Sequence, residues 1–278
     1  MIDFIVIESG GTKSTWAFGS LTDGLINTVE TVGLHPQEIT PEKTTSLKLL
    51  LEELDIVPET KLYFYGAGCS ENNKPLLVRF FAQFHLHHIV IRTDLEGACI
   101  ASLRNNAGYT AILGTGAIAA EYDGKKVVRF TSGLGYLLGD EGSGFDLGKR
   151  LLILYYQERL AENIKLDLES YFGGKNQILS KVYDSEGRKN VAGLTRIIHA
   201  HKNNPLILSL IKESFHDFHA TALKDLAAVQ EISFIGSIAF YFQKELTEVL
   251  AEYSIAIKQI QPSAIHGLFE YHADSSIK

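Results

Sequence analysis

The sequence predicts an α/β fold built from two like domains, and three observations predict it. The first is a pair of glycine turns, about one domain-length apart, in the same local pattern. One reads Ile5-Val6-Ile7-Glu8-Ser9-Gly10-Gly11-Thr12-Lys13-Ser14-Thr15-Trp16-Ala17-Phe18, and the other Tyr109-Thr110-Ala111-Ile112-Leu113-Gly114-Thr115-Gly116-Ala117-Ile118-Ala119-Ala120-Glu121-Tyr122. In each, an apolar run enters a Gly/Thr turn and a second apolar-rich run leaves it. The second observation is that an Asp-Gly pair follows each motif, Asp23-Gly24 and Asp123-Gly124. Asp-Gly between strand-like runs signals a hairpin, because the tight turn needs positive φ. The third is that the order of elements after the first turn begins again after the second.

Residues 2–8, 14–19 and 26–31 read as three strands. Thr40 to Leu54 reads as a helix, with Thr40 as N-cap, Pro41 in the first helical position, and Leu47, Leu50, Leu51 and Leu54 on one face. Lys61 to Tyr65 is a buried strand ended by Gly66-Ala67-Gly68. Asn73 to His85 is a second helix, His88 to Arg92 a further strand, and Thr93 to Leu103 a helix rich in small residues. Three strands, helix, strand, helix, strand, helix suits a ribonuclease-H-like α/β domain.

The second half starts likewise, with strands at 109–113, 117–122 and 126–130. A glycine-rich loop follows, Gly133 to Gly144. Helices are expected over 145–164, 190–201, 205–229 and 239–253, and strands over 231–235 and 255–260. Residues 170–187 read as a helical insertion. No long Pro/Ser linker is present, and polar residues collect near Arg104 to Gly108. The expected domains are therefore 1–106 and 107–278, with an interdomain cleft and the last residues as candidates to pack back on the first domain.

Bulk properties narrow the functional classes. The 278 residues allow one large or two medium domains with real cores. Hydrophobic content of 45% and charged content of 21% are those of an ordinary globular protein. A net charge of −7 without a long basic run argues against nucleic acid as the main partner. Cys69 and Cys99 form no C-x-x-C, so neither a disulfide scaffold nor a zinc ribbon is supported. Met1-Ile2-Asp3-Phe4 lacks a basic leader region and Glu8 interrupts the apolar stretch, which reads as a first strand. No stretch approaches the length of a membrane span. A cytoplasmic protein without a membrane partner is the expectation.

Glycine lets backbone N–H groups approach an anion closely, and a threonine hydroxyl adds a donor. Two such loops can grip a polyphosphate from both sides. They are not the familiar phosphate motifs. A Walker A loop needs Gly directly before its Lys-Ser/Thr and a helix after it, whereas Thr12 precedes Lys13-Ser14 and a strand follows. Gly114 to Ala119 superficially fits a dinucleotide fingerprint, but the Asp123-Gly124 turn comes too soon for the helix it must open.

Several acidic and small residues could do chemistry, each with a plainer alternative. Asp140 and Glu141 sit in the turn Gly139-Asp140-Glu141-Gly142-Ser143 before a helix, where acids also favour the helix dipole. Asp94 follows a strand and opens a helix. It is either a cap or first-turn acid, or a carboxylate facing the ligand crevice at the C-terminal end of the sheet. Glu8 is either a solvated strand-end carboxylate or a metal holder through water. Gly236-Ser237-Ile238-Ala239 is either a packing turn or a seat for a flat ring. His216 and His219 share a helical face. With no acidic constellation near them, they and His85, His87, His88, His199 and His201 read as surface or packing residues.

Together these motifs resemble the N-acetylglucosamine kinase branch of the BadF/BadG/BcrA/BcrD-type ATPase family, within the actin/hexokinase/Hsp70 superfamily. Glu8 to Ser14 matches the first phosphate loop and Leu113-Gly114-Thr115-Gly116 the second. Gly139 to Ser143 matches a signature of the branch, Gly236 to Ala239 resembles the adenosine motif, and Thr93-Asp94 with Gly97-Ala98 resembles the segment of the catalytic aspartate. The resemblance implies two actin-like ATPase domains and an ATP- and Mg2+-dependent sugar kinase. In it, Gly10, Gly11, Thr12, Lys13, Ser14, Gly114, Thr115 and Gly116 bind phosphate, and Gly236 and Ser237 bind adenosine. Glu8 holds Mg2+ through water, Asp94 is the general base, and Asp140 binds sugar hydroxyls. A small-molecule sugar is the expected partner, and a homodimer is allowed.

The chain departs from that branch on the sugar side. Ala117-Ile118 stands where family members carry Ser-Asn, and Gly33-Leu34-His35-Pro36 stands where they carry Gly-x-Asn-Pro or Asn-His-Trp. His35, Ala117 and Ile118 are thus the expected sugar-facing positions that differ. Two alternatives follow: a non-catalytic nucleotide or sugar sensor on the same fold, and an ATPase activator of a dehydratase. The activators use cysteines to hold an iron–sulfur cluster between subunits, and Cys69 and Cys99 lack such spacing.

Overall fold

Ile5, Val6 and Ile7 expose no surface, which marks the first strand as one covered on both faces. The computed structural model describes every residue except Met1, Gly11, Thr12, Glu53, Asp55, Ala227, Ala228, Ile277 and Lys278. The chain divides into two compact units, one of residues 1–106, 124–126 and 263–278, the other of residues 107–123 and 127–262. No helix among the described residues is long and apolar enough to cross a membrane.

The first unit contains β1 (Phe4–Ser9), β2 (Lys13–Ser20), β3 (Gly24–Val32), α1 (Pro41–Glu52), β4 (Lys61–Gly66), α2 (Lys74–Ala82), β5 (His88–Thr93) and α3 (Asp94–Leu103). Its sheet order is β3-β2-β1-β4-β5, with β2 antiparallel to both β1 and β3, and with β1, β4 and β5 parallel. The parallel register sets Ser9, Gly66 and Thr93 in one row at the strands' C-terminal ends. In open α/β sheets that end is where ligands bind. Trp16, Phe18, Phe64 and Phe81 build the core beneath it.

The second unit contains β6 (Ala107–Leu113), β7 (Ala117–Asp123), β8 (Val127–Ser132), α4 (Gly144–Tyr156), α5 (Glu162–Phe172), α6 (Ile178–Val182), α7 (Gly187–Gly193), α8 (Thr195–Ala200), α9 (Pro205–Phe218), β9 (Glu231–Ile235), α10 (Ser237–Tyr241), α11 (Gln243–Glu252) and β10 (Ala256–Gln261). Its sheet order, β10-β9-β6-β7-β8, repeats the first with the same parallel and antiparallel pairs. The chain then returns to the first unit as α12 (Ile265–Ser276), a helix the sequence pattern did not announce.

The long expected helices are broken, each at an identifiable backbone feature. The helix expected over 145–164 ends at Tyr156, because Glu158 takes a left-handed φ of 56° before α5 begins. The one expected over 205–229 passes at Phe218 into a π-helical turn, His219–Leu223. There the Thr131 hydroxyl takes up the carbonyl of Ala222. The expected 239–253 helix is divided at Phe242, whose φ of −111° is not helical. The expected insertion at 170–187 is the end of α5, a short 3-10 turn and α6.

His85, His87 and His88 are exposed, whereas His201, His216 and His219 contact neighbouring side chains. His219 stacks on Tyr253 with centroids 3.5 Å apart, His216 hydrogen-bonds the Tyr253 hydroxyl at 2.8 Å, and His201 meets Asp167 at 2.7 Å.

Candidate active site

Thr93 ends β5 in an extended conformation, and its hydroxyl accepts the N–H of Glu96 at 3.1 Å. The Glu96 carboxylate returns to the Thr93 N–H at 2.9 Å, closing a capping box. The helix N-cap is therefore Thr93 and not Asp94. Asp94 lies in the first turn of α3, half-buried, with Oδ1 accepting the N–H of Leu95 at 2.9 Å. Burial pushes its carboxyl above the usual range. Backbone N–H groups of Leu95 and Asp94 oppose that, and the nearby Glu8 adds to it.

Glu8 sits one residue before the row formed by Ser9, Gly66 and Thr93. It is not a solvated strand-end acid. Its Oε2 accepts the Ser263 hydroxyl and, at 3.1 Å, the N–H of Ile265 at the start of α12. Oε1 makes no hydrogen bond among the described residues. No three His, Cys, Asp or Glu side chains gather as a metal cage among the described residues. A magnesium ion that arrives on phosphates and keeps most of its waters needs no such cage.

Gly10 is exposed, and its N–H donates to Lys13 O at 3.0 Å across the first turn. Gly11 and Thr12 lie outside the described residues. Lys13 extends to Glu30 on β3 at 2.5 Å, with both side chains exposed. Ser14 has no exposed surface. Its hydroxyl donates to Ser9 Oγ at 2.8 Å, and both oxygens receive the N–H of Leu34, at 2.9 Å from Ser9 and 3.2 Å from Ser14. This hydroxyl, bonded on both sides inside the unit, holds the 33–36 loop against β1 and β2. That loop carries His35, whose ring covers Gly68. A Cβ there would come within 2.1 Å of His35 Nε2, and Gly68 also has a φ of +74°. His35 Nδ1 accepts the N–H of Gln37 at 3.3 Å, so Nε2 carries the proton in the neutral ring.

In the second unit, Gly114 N–H donates to Gly116 O at 3.0 Å, folding the turn on itself. The carbonyls of Gly114 and Thr115 receive the N–H groups of Gly144 and Phe145, at 2.8 and 3.2 Å, so the start of α4 supports the turn. The N–H groups of Thr115 and Gly116 and the Thr115 hydroxyl have no acceptor or partner among the described residues. Such a set of adjacent free donors is an anion-binding arrangement. Gly236, at φ +123°, packs so tightly against the turn that a Cβ would lie 2.3 Å from Leu113 O. Ser237 follows it, exposed. Gly236 and Ser237 thus stand beside Leu113 and Gly114.

Asp140 lies on the other flank. It is buried at 4% exposure and holds a left-handed φ of 63°, a strained conformation for a residue with a Cβ. Burial raises its pKa, while the Ala117 N–H and the Arg188 guanidinium lower it. Arg188 Nη2 donates to Asp140 Oδ2 at 3.4 Å. Ala117 is buried at the start of β7, and Ile118 reaches toward Gly133. Sequence reasoning missed Arg188 because it lies among polar residues without motif or period. It also missed the Thr93–Glu96 box, although T-x-x-E is a readable capping signal. Cys69 and Cys99 are both buried, and burial pushes the Cys69 thiol up to about 12. Neither is a free surface ligand for a cluster.

The two sheets of one topology define a two-domain protein with the fold of the actin-like ATPases and ROK kinases. Within that class the chain is similar, in sequence and in fold, to N-acetylglucosamine kinases. It is 23% identical over 215 residues to an N-acetylmuramic acid/N-acetylglucosamine kinase of Clostridium acetobutylicum, spanning 70% of this chain and 69% of that one. A Porphyromonas gingivalis protein provisionally described as an N-acetylglucosamine kinase superposes with a TM-score of 0.90 and 28% identity, covering 99% of this chain and all 100% of that one. A ROK family glucokinase from Streptomyces griseus, solved with glucose and AMPPNP, superposes with a TM-score of 0.65 over 98% of both chains. At 14% identity that likeness speaks to the fold alone. No protein-family model matches the chain.

Proposed function

We propose that the chain is an ATP-dependent kinase that transfers the γ-phosphate to a hydroxyl of an amino sugar, N-acetylglucosamine or a relative such as N-acetylmuramic acid. The observation that carries this reading is that Asp94 is not the N-cap of α3. Thr93 and Glu96 cap α3 between them, and a carboxylate with a raised pKa is left at the C-terminal end of the parallel strands. A base of raised pKa is better matched to a sugar hydroxyl at neutral pH than an ordinary carboxylate.

In this reading Asp94 accepts the hydroxyl proton as the oxygen attacks the γ-phosphorus. The bond from that phosphorus to the β-phosphate oxygen breaks, and ADP leaves. The free N–H groups of Thr115 and Gly116 and the Thr115 hydroxyl take phosphate oxygens, as does the Gly10-Gly11-Thr12 turn of the first unit. Fixed donors of this kind stabilise the charge of the transferring group without reorganising. Gly236 and Ser237 receive the adenosine. Asp140, His35, Ala117 and Ile118 face the sugar. A magnesium ion on the nucleotide would neutralise phosphate charge, and Glu8 would hold it through water by the oxygen that α12 leaves open. The enzyme works on small molecules in the cytoplasm.

The test is to offer MgATP and a panel of neutral, amino and acidic sugars, following ADP release and the phosphorylated product. Transfer to an amino sugar is expected. ADP release at one rate with and without every sugar, or no nucleotide binding at all, would overturn the reading.

A further inference from the structure

The structure sets a cation, Arg188, beside the second glycine turn, and nothing in the turn's own sequence announces it. A Cβ on Gly116 would come within 3.0 Å of Arg188 Nη2 and 2.8 Å of Asp140 Oδ2. A side chain at position 116 would crowd both charged groups. The arginine is held there by backbone packing. A Cβ on Gly148 of α4 would lie 2.0 Å from Val191 O, so α7 rests directly on α4. The guanidinium carbon lies 5.3 Å from the centroid of Tyr136, whose ring in turn meets Phe145 edge-on at 4.9 Å.

A guanidinium has five N–H donors. Arg188 uses one, on Asp140, at the long distance of 3.4 Å. Nε and Nη1 make no hydrogen bond among the described residues, and the side chain is 46% exposed. Asp140 balances part of the charge and is met through Nη2. Nε, Nη1 and the second N–H of Nη2 therefore stay open, with Nη2 beside Gly116 of the turn. Planar paired donors are the arrangement that recognises carboxylate or phosphate.

We infer that Arg188 binds an oxyanion beside the Gly114–Gly116 turn and is a specificity or catalytic residue of the proposed transfer. The inference rests on the kinase reading for its setting. The same chemistry has two sources: the transferring phosphate of the nucleotide, or an acidic substituent of the acceptor sugar.

The experiment compares wild type, Arg188→Gln and Arg188→Lys. Calorimetry with pyrophosphate, AMP, ADP and ATP is paired with kcat and KM on N-acetylglucosamine and on N-acetylmuramic acid, which carries a carboxylate. Arg188→Lys keeps the charge and loses the fork, so it guards against a mere folding defect, which melting curves check. A loss of tenfold or more in ATP or pyrophosphate affinity, with AMP unchanged and kcat lowered on both sugars, assigns the phosphate. A tenfold or greater loss confined to the acidic sugar assigns the acceptor. Equal loss on both sugars with unchanged nucleotide and pyrophosphate affinity overturns the inference, since Arg188 would then act only by holding Asp140. So does a Gln variant that behaves as wild type, or a wild type that binds no oxyanion. Wild type that binds pyrophosphate through Arg188 yet never transfers phosphate sinks the kinase reading alone.

Discussion

Glu8, on the first strand, accepts the N–H of Ile265, 257 residues later, at 3.1 Å. The carboxylate thus caps the last helix from outside it, with help from the Ser263 hydroxyl. A negative charge at a helix N-terminus also meets the positive end of the helix dipole.

Glu8→Ala is therefore expected to lower stability by about 1–2 kcal/mol, the range for a lost cap and a charged hydrogen bond. Glu8→Gln keeps an acceptor oxygen and should lose less. Urea denaturation checks this, and an unchanged midpoint in Glu8→Ala would show that the cap contributes nothing. If Glu8 also holds magnesium through water, both variants should need more Mg2+ for half-maximal turnover.

Ser14→Ala separates support from ligand contact. The Leu34 N–H would keep Ser9 Oγ at 2.9 Å but lose its second acceptor, and Ser9 would lose a donor. A stability loss of about 1 kcal/mol follows, with ATP affinity close to wild type. A tenfold drop in ATP affinity in a fully folded variant would assign Ser14 to the phosphate contacts.

His272 on α12 should make the first unit sensitive to acid. It is buried, hydrogen-bonded to the Tyr65 hydroxyl at 2.7 Å and stacked on Tyr63 at 3.6 Å. Burial, with Arg92 nearby, lowers its pKa to about 3. Above the ordinary histidine pKa both folded and unfolded forms are neutral, so its contribution is fully present. As pH falls from about 6.5 toward the folded value, the unfolded chain takes up a proton that the native state refuses, and stability drops by about 1.4 kcal/mol per pH unit. His272→Gln cannot titrate. Its unfolding free energy should fall less steeply between pH 6.5 and 4, and equal slopes would refute the assignment.

The repeated sheet was legible because its signal is local. Each apolar run was flanked by a glycine turn and an Asp-Gly hairpin, and β1, β2, β6 and β7 stand where that pattern puts them. Helix ends were not legible, because Glu158 and Phe242 break helices by backbone conformation that an ordinary side chain does not announce. Asp94 stood out from its place after a strand, but what sets its role is a capping box made by its neighbours. Arg188 was invisible. Its place depends on Gly148 letting α7 rest on α4 and on the turn at Gly116 lying beside it, a tertiary condition with no period or motif.

Asp94→Asn is the sharpest test, because the structure makes its two roles predict opposite signs. A first-turn acid that merely favours the helix dipole would contribute about 0.3–1 kcal/mol, so its loss should lower stability slightly at pH 7. A half-buried carboxylate of raised pKa does the reverse. Between the unfolded carboxylate value and the raised folded value the native state binds more protons than the unfolded chain, so stability falls as pH rises through that window. At pH 7 the charged form is a burden, and Asp94→Asn should be as stable as wild type or more so, with the difference closing as pH falls below the carboxylate range. The capping box of Thr93 and Glu96 stays intact in the variant, so folding is not at risk. If Asp94 is the base, the variant should bind ATP and sugar normally and lose about 100-fold or more in kcat. Wild-type kcat/KM should then rise with pH along a limb displaced above the ordinary carboxylate range, and the variant's residual rate should lack that limb. Melting curves across pH and single-turnover phosphorylation read the two effects separately. A variant that is less stable at pH 7 and turns over at a near-normal rate would return Asp94 to a purely structural role.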